Sequence, residues 1–470
     1  MKKTKIVATI GPATESVEML SKLLEAGMNV MRLNFSHGDF LEHQLRVDNL
    51  RTAIKKTGID CAILQDLGGP KIRIGDFKTD SVLLKEGKTF TLTTEDIIGD
   101  ENIVSVNYKP LTKEVKRGDV IFLHDGKKKL LVKNINGDEV VCKIIVGGDM
   151  RGRRGVNLPN SNLSIKSISK KDLEDLEFGL KNKVDFFALS FVRSSSDILE
   201  LKEILDKRKS SASIVSKIET PQAIQNIDEI IKVSDGIMVA RGDLAIEVPY
   251  EKVPSLQKII IDKCNKAGKS VITATHMLES MIHSPIATRA EVSDVANAIL
   301  DGTDAIMLSG ETTLGQYPLE AVNVMASVAK EVEENYPEKQ IVRVGQNGDT
   351  DISDSVASSV VKTAHDVGAK IIVALTDSGF TARMISRHKP KPIILALTPK
   401  EETNKKMNLI FGCIPVTVSR YETLDDVFKI VRKYCAEMKL AKKGDKVVIS
   451  AGVPFNTKGL STNMLVVLKI

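Results

Sequence analysis

The 470-residue chain contains no tryptophan, and aromatic residues make up only 4% of it. Base stacking therefore has little equipment, and 67 basic against 61 acidic residues leave a formal charge of +6 with no basic tail or dense positive stripe. No nucleic-acid partner is expected. The five cysteines, Cys61, Cys142, Cys264, Cys413 and Cys435, are odd in number, widely spaced and without a C-x-x-C pair, a pattern of buried free thiols and not of disulfides or zinc. No apolar run approaches the ~18 residues that a membrane-spanning helix needs. Met1 to Ile10 enters a strand-like pattern with no signal-peptide core, so a cytoplasmic location without a membrane partner is expected. G-x-G-x-x-G, G-x-x-x-x-G-K-[ST] and H-E-x-x-H are absent, which removes the Rossmann, P-loop and zincin readings.

What is present is ordinary globular composition, 42% hydrophobic and 27% charged, over a length that calls for two or three domains. Short β-branched runs alternate with amphipathic stretches, the pattern of parallel strands joined by crossover helices. Eight strands are predicted: Lys5 to Ile10, Val30 to Asn34, Ala62 to Gln65, Phe186 to Phe191, Ser213 to Ile218, Gly236 to Ala240, Ser270 to Ala274 and Ala305 to Leu308. Eight fit one closed (β/α)8 TIM barrel. Helices are predicted between them, among them Val17 to Ala26, Ala223 to Lys232 and Val253 to Ala267. About 100 residues separate the third strand from the fourth, with alternating runs and Gly-rich turns, and read as an inserted all-β lid over the catalytic face. The expected division is a barrel of residues 1–69 and 164–340, a β-barrel lid of 70–163, and an open α/β sheet domain of 341–470 beyond a polar linker at Gly345, Asn347 and Gly348.

In such a barrel the chemistry belongs at the C-terminal ends of the strands. Those ends carry Arg32, Asn34, Ser36 and His37; Asp66; Lys217 and Glu219; Arg241, Gly242 and Asp243; Thr275 and His276; Ser309 and Glu311. Taken singly, each reads as a solvated charge. Together they place carboxylates, cations and hydroxyls around one mouth. Glu219 and Asp243 are hard oxygen donors from neighbouring strands and suit Mg²⁺, which takes one or two protein carboxylates and keeps its other positions for water and substrate; a plain salt bridge is the alternative. Lys217 stands two residues before Glu219 and shares its side of the strand. Gly242 lets backbone approach a ligand closely.

The segments M-R-L-N-F-S-H (Met31 to His37), S-K-I-E-T (Ser216 to Thr220), M-V-A-R-G-D-L (Met238 to Leu244), A-T-H-M-L-E-S-M (Ala274 to Met281) and M-L-S-G-E-T (Met307 to Thr312) resemble the pyruvate kinase family in that order along the chain. The resemblance implies phosphoryl transfer between phosphoenolpyruvate and ADP, giving pyruvate and ATP, with Mg²⁺ (Mn²⁺ as a substitute) on Glu219 and Asp243. It implies that Lys217 stabilises the transition state, that Arg32, Gly242, Asp243 and Thr275 bind substrate with Thr275 on the side where a proton arrives, and that Arg73, Arg154, Asn34 and His37 meet the nucleotide. It also implies a homotetramer.

One departure stands out. Many family members read D-T-K-G-P-E-I-R where this chain reads Asp66-Leu67-Gly68-Gly69-Pro70-Lys71-Ile72-Arg73. Asn34, Ser36, Asp66 and Leu67 match the family's monovalent-cation site, and the ammonium of Lys71 is expected to replace K⁺, as in the K⁺-independent branch. In the last domain, Thr376, Ser378, Gly379, Phe380 and Thr381, with Arg383 nearby, fall where the family binds sugar-phosphate or nucleotide effectors; an ordinary helix cap is the alternative. A Mg²⁺-dependent barrel lyase and a regulatory protein without turnover are the rival readings.

Overall fold

Eight short parallel strands pair into one closed ring in the computed structural model, which describes residues 1–159, 161, 163–335, 351–455, 457 and 462–470. They are Lys5–Thr9, Val30–Asn34, Ala62–Asp66, Phe186–Leu189, Ser213–Ile218, Gly236–Ala240, Ser270–Ala274 and Ala305–Leu308. The first pairs with the eighth, Lys5 opposite Ala305, and this closes the (β/α)8 barrel that the alternating pattern predicts. Crossover helices are set by their ends. The first, Val17–Ala26, begins where Ser16 accepts a hydrogen bond from the Met19 amide and stops at Gly27, whose φ of 109° a side-chain-bearing residue resists.

Two local expectations are corrected. The helix predicted over Ala223 to Lys232 is two pieces, Pro221–Gln225 and Ile227–Val233. Asn226 breaks it by turning its side-chain amide to the Arg193 carbonyl, 2.9 Å away. The fourth strand ends at Leu189, because Phe191 takes a positive φ of 53° and cannot continue it. Among its described residues the insert carries one single-turn helix, Leu111–Glu114, in an otherwise β structure. Its strands form a six-stranded sheet and a two-stranded ribbon, and isolated bridges such as Arg73 to Gly155 and Ile74 to Val106 complete it. Phe90, Leu92, Ile121, Leu130, Val140 and Met150 give the insert its own core.

Among the described residues the third unit opens on the helix Ile352–Asp366 and holds five strands, four parallel and the last, Met464–Lys469, antiparallel at the edge. The linker positions Gly345, Asn347 and Gly348 lie outside the described residues. This unit sits on the barrel floor, opposite the strand ends that carry the polar residues. Leu409 joins the inward-facing cluster of the barrel, with Val7, Val30 and Ala305. Beside it Lys389 Nζ lies 2.7 Å from Asp304 Oδ1, with both side chains less than a tenth exposed, and caps the Phe411 ring at 4.7 Å. Lys5 Nζ reaches the Cys413 carbonyl at 2.5 Å.

A buried ion pair that loses one partner leaves a charge without compensation, so Lys389→Met is expected to cost about 3–5 kcal/mol. The midpoint of urea unfolding should fall accordingly; a parental midpoint would mean that solvent reaches Asp304.

Candidate active site

Successive residues of a strand face opposite ways, so every second residue of a barrel strand points inward. Val7, Val30, Ala62 with Leu64, Phe186 with Ala188, Val215, Met238, Ile272 and Met307 all belong to the inward cluster and fill the lower lumen. Continuing the same alternation toward the C-terminal ends gives Thr9, Arg32, Asp66, Ser190, Lys217 and then Glu219. The period that packs the floor therefore aims the polar groups into the mouth. Thr9 and Ser190 escape a reading by motif, although the Phe186, Ala188, Ser190 alternation carries the signal.

These six residues form one bonded network. Asp66, 1% exposed, accepts from Arg32 Nε at 2.8 Å and lies 3.3 Å from Lys217 Nζ. Arg32 Nη1 donates to Thr9 Oγ1 at 2.8 Å, and Lys217 Nζ donates to Ser190 Oγ at 2.8 Å. Glu219 takes the Phe191 amide on Oε2 at 2.7 Å, while its Oε1 lies 2.9 Å from Lys217 Nζ as an ion pair outside hydrogen-bonding angles. Burial alone would push the Asp66 carboxyl up, but the charges of Lys217 and Arg32 hold it below the usual carboxylate range. Burial works against the Lys217 charge, and Asp66, Glu219 and Asp243 together overcome it and raise its pKa. Lys217 is thus a permanent cation at neutral pH.

The adjoining strands supply the rest of the rim. The short helix Arg241–Glu247 follows the sixth strand and carries Gly242 and Asp243. Gly242 N donates to Thr275 Oγ1 at 2.7 Å, and that hydroxyl donates on to the Ala274 carbonyl at 2.7 Å. Thr275 and His276 both hold positive φ, 68° and 53°, a cost of order 1–3 kcal/mol each that structures retain mostly at functional sites. Glu247 lies at the helix end, bonded to Asn157 of the lid at 2.8 Å. Burial pushes its carboxyl up to about 7; the Asn157 bond opposes this rise and the charges of Asp243 and Glu219 add to it. Glu311 is spent on structure, since its two oxygens accept the Leu278 and Ser309 amides at 3.1 and 2.7 Å.

On the opposite side Lys71 Nζ donates to Ser36 Oγ at 2.9 Å, and Asn34 Oδ1 accepts the Ser36 amide at 3.1 Å. Leu67 is buried and its carbonyl accepts from Ser190 Oγ at 2.7 Å. Burial lowers the Lys71 pKa, with Lys217 and Arg73 adding to the fall and Asp243 and Asp66 opposing it. Arg73 lines the cleft between lid and barrel with Asp243, and its Nη1 donates to the Arg153 carbonyl at 2.9 Å. Arg154 stands on the lid with Nε buried and unbonded. His37, whose pKa burial and the neighbouring cations Lys71, Arg73 and Arg32 lower, stays on this rim. Thr376, Ser378, Phe380 and Thr381 are not brought here; they line a separate cavity of about 530 Å³ in the third unit. Gly379, at a φ of 79°, opens the seven-residue helix beside that cavity.

Comparison with known proteins decides among the readings. The family model "Pyruvate kinase, barrel domain" matches residues 1–322, and "Pyruvate kinase, alpha/beta domain" matches residues 354–468. The chain belongs to the pyruvate kinase family. It is 46% identical over 468 residues to a pyruvate kinase of Staphylococcus epidermidis, covering 99% of this chain and 80% of that one. It is 43% identical over 476 residues to one of Clostridium perfringens, covering both completely. The crystal structure of a pyruvate kinase from Cryptosporidium parvum superposes with a TM-score of 0.95 at 37% identity, over 100% of this chain and 96% of that one. The protein is accordingly a phosphoryl-transferring enzyme, and neither the lyase nor the regulatory reading stands.

Among the described residues no three His, Cys, Asp or Glu side chains converge as a metal cage. A family Mg²⁺ does not need one. Glu219 is fully buried, burial and the Asp243 charge raise its pKa against the pull of Lys217, and one of its oxygens has no hydrogen-bond donor. Two carboxylates, Glu219 at the end of the fifth strand and Asp243 on the helix after the sixth, fit a hard divalent cation.

His37 is held in place by His43, whose Nε2 lies 3.0 Å from the His37 carbonyl. The carbonyl can only accept, so Nε2 carries the proton, and Nδ1 is buried without a partner. Protonation would bury a second N–H with no acceptor, and burial lowers the His43 pKa to about 4. The folded value lies below the unfolded one near 6.5, so this contribution is complete above about pH 6.5 and is lost as pH falls toward 4. Between pH 7.5 and 5 the stability advantage of the parent over His43→Gln should shrink by about 2 kcal/mol. Chemical unfolding of both proteins at the two pH values measures it; a constant difference would show that folded His43 takes up its proton as readily as the unfolded chain does.

Proposed function

We propose that this site transfers the phosphoryl group of phosphoenolpyruvate to ADP, giving pyruvate and ATP, with Mg²⁺ held by Glu219 and Asp243. The observation that carries the reading is the buried cation Lys217, fixed at 2.8 to 3.3 Å from Ser190, Glu219 and Asp66 at the barrel mouth. Phosphoryl transfer asks a protein for positioning and charge neutralisation more than for covalent chemistry. A divalent ion held there would supply positive charge to offset that of the substrate phosphate.

The remaining steps belong to side chains. Arg32, pinned by Asp66 and Thr9, keeps its Nη2 edge for the substrate phosphate. Lys217 offers a preorganised positive charge to the moving phosphoryl group. Gly242 and Thr275 present an amide and a hydroxyl toward the substrate carboxylate, beside Asp243. Arg73 and Arg154 bring the lid's charge to the nucleotide phosphates, with Asn34 and His37 at the facing rim. Because Lys217 holds its proton tightly, the proton that completes pyruvate comes from the Thr275 side. Lys217→Met should lower kcat at least about a hundredfold. A coupled assay for ADP-dependent pyruvate formation measures it, and parental turnover would remove Lys217 from the reaction.

Lys71 takes the place of K⁺ in this reading. Its ammonium is bonded to Ser36 and stands in the field of Asp66, where the family's monovalent ion would meet Asn34, Ser36, Asp66 and the Leu67 carbonyl. Activity in tetramethylammonium buffer should equal that with K⁺, while Lys71→Glu should require K⁺; strong stimulation of the parent by K⁺ would end the replacement idea. The cavity at Thr376 to Thr381, with Lys400 and Arg420 on its wall, suits a sugar-phosphate or nucleotide effector. A cytoplasmic homotetramer completes the family reading.

A further inference from the structure

The lid meets the barrel in two different ways. At its return connection Arg193 donates from Nη1 and Nη2 to the carbonyls of Leu163 and Ile165, both at 2.7 Å. That contact ties down the chain where it re-enters the barrel, and it does not depend on where the body of the lid stands. Asn157 is different. It belongs to the lid's edge strand Val156–Asn157, and its Nδ2 crosses the cleft to Glu247 Oε1 at 2.8 Å.

Both partners are attached to groups that the reaction uses. Glu247 closes the helix that starts with Arg241, Gly242 and Asp243, and it lies four residues from Asp243, on the same helical face. On the lid side, the Val156 amide donates to the Ile72 carbonyl at 2.9 Å, and Gly155 bridges Arg73. The position of Asn157 therefore sets the position of Arg73, through a rigid strand pair two residues long. Ile246, the neighbour of Glu247, faces the lid at Gly126, where an added Cβ would lie 3.4 Å from its Cγ1. One helix thus offers the lid an apolar stop at Ile246 and a hydrogen-bond acceptor at Glu247. The cavity between them, about 150 Å³, is lined by Arg73, Asp125, Asn157, Asp243 and Glu247.

We propose that Glu247 is a positioning residue, which latches Asn157 so that the lid holds Arg73 over the Asp243 side of the cleft. The proposal rests on the phosphoryl-transfer reading for its kinetic consequence, and on geometry alone for its structural one. A buried acceptor in a closed cleft that loses its donor costs more than an exposed one, which water can satisfy. Loss of the Asn157 bond should let the lid body swing about the Arg193 tether without unfolding.

The test is a double-mutant cycle with two readouts. Glu247→Ala and Asn157→Ala should each lower kcat/KM for ADP about tenfold, and the double variant should be no worse than either. Glu247→Gln keeps an acceptor for Asn157 and should recover most of the parental value. Asn157→Asp sets two carboxylates against each other and should be the poorest single variant, with Glu247→Gln in the same chain restoring it. Hydrogen exchange of the unliganded protein supplies the second readout: Glu247→Ala should speed exchange in peptides spanning residues 120–130 and 150–158 and leave the lid core near Phe90 unchanged. Additive kinetic losses, or parental exchange in both peptides, would overturn the latch. Absence of ADP-dependent pyruvate formation in the parent would sink the functional reading and leave the exchange prediction to be judged by itself.

Discussion

Two like charges, Arg32 and Lys217, stand within reach of one buried carboxylate, Asp66, and the polar mouth of the barrel depends on that arrangement. Burial opposes the charge on an ammonium, so Lys217 remains a cation only because Asp66, Glu219 and Asp243 outweigh the loss of water. Burial equally opposes a carboxylate, and Asp66 stays ionised only because the two cations answer it. Neither side of the network is tenable alone. The result is a rigid set of charges fixed before substrate arrives, which is what electrostatic stabilisation of a transferring phosphoryl group requires.

The barrel makes this possible with the cheapest device in a β-structure, alternation. Inward positions from Val7 to Met307 pack the lumen and exclude water from below, and the same parity brings Arg32, Asp66, Ser190 and Lys217 out at the top. The third unit reinforces the floor, since Leu409 enters the lumen cluster and Lys389 answers the buried Asp304. A dry floor and a charged rim are consequences of one register. Sliding any strand by a single residue would exchange them.

Local patterns in the chain made much of this legible. The eight strands, their order and the strand-end carboxylates follow from periodicities that span only a few residues. Contacts between distant segments do not leave such traces. Nothing near Leu409 marks it as a plug for a barrel whose last helix ends at Glu334, and nothing near Asn157 points to Glu247, 90 residues away. Glu311 misleads for the opposite reason: it stands at a strand end like a catalytic acid, but two backbone amides occupy its oxygens. The break at Asn226 is also tertiary, because the Arg193 carbonyl it serves belongs to another crossover.

The Lys71 ammonium illustrates how one substitution is absorbed by such a site. A tethered charge differs from a free ion in having one direction of approach, and Lys71 comes from the lid connection, Gly69 to Arg73, and not from the barrel wall. Its bond to Ser36 therefore does two things at once. It places positive charge beside Asp66, and it pins the outgoing connection of the lid to the second barrel strand. Arg193 pins the incoming connection on the fourth. Both connections of the lid are thus held to the barrel by side chains. A free monovalent ion in the same place would supply the charge without the tether, so under the proposed replacement the lysine would tie down the lid connection as well as supply the charge.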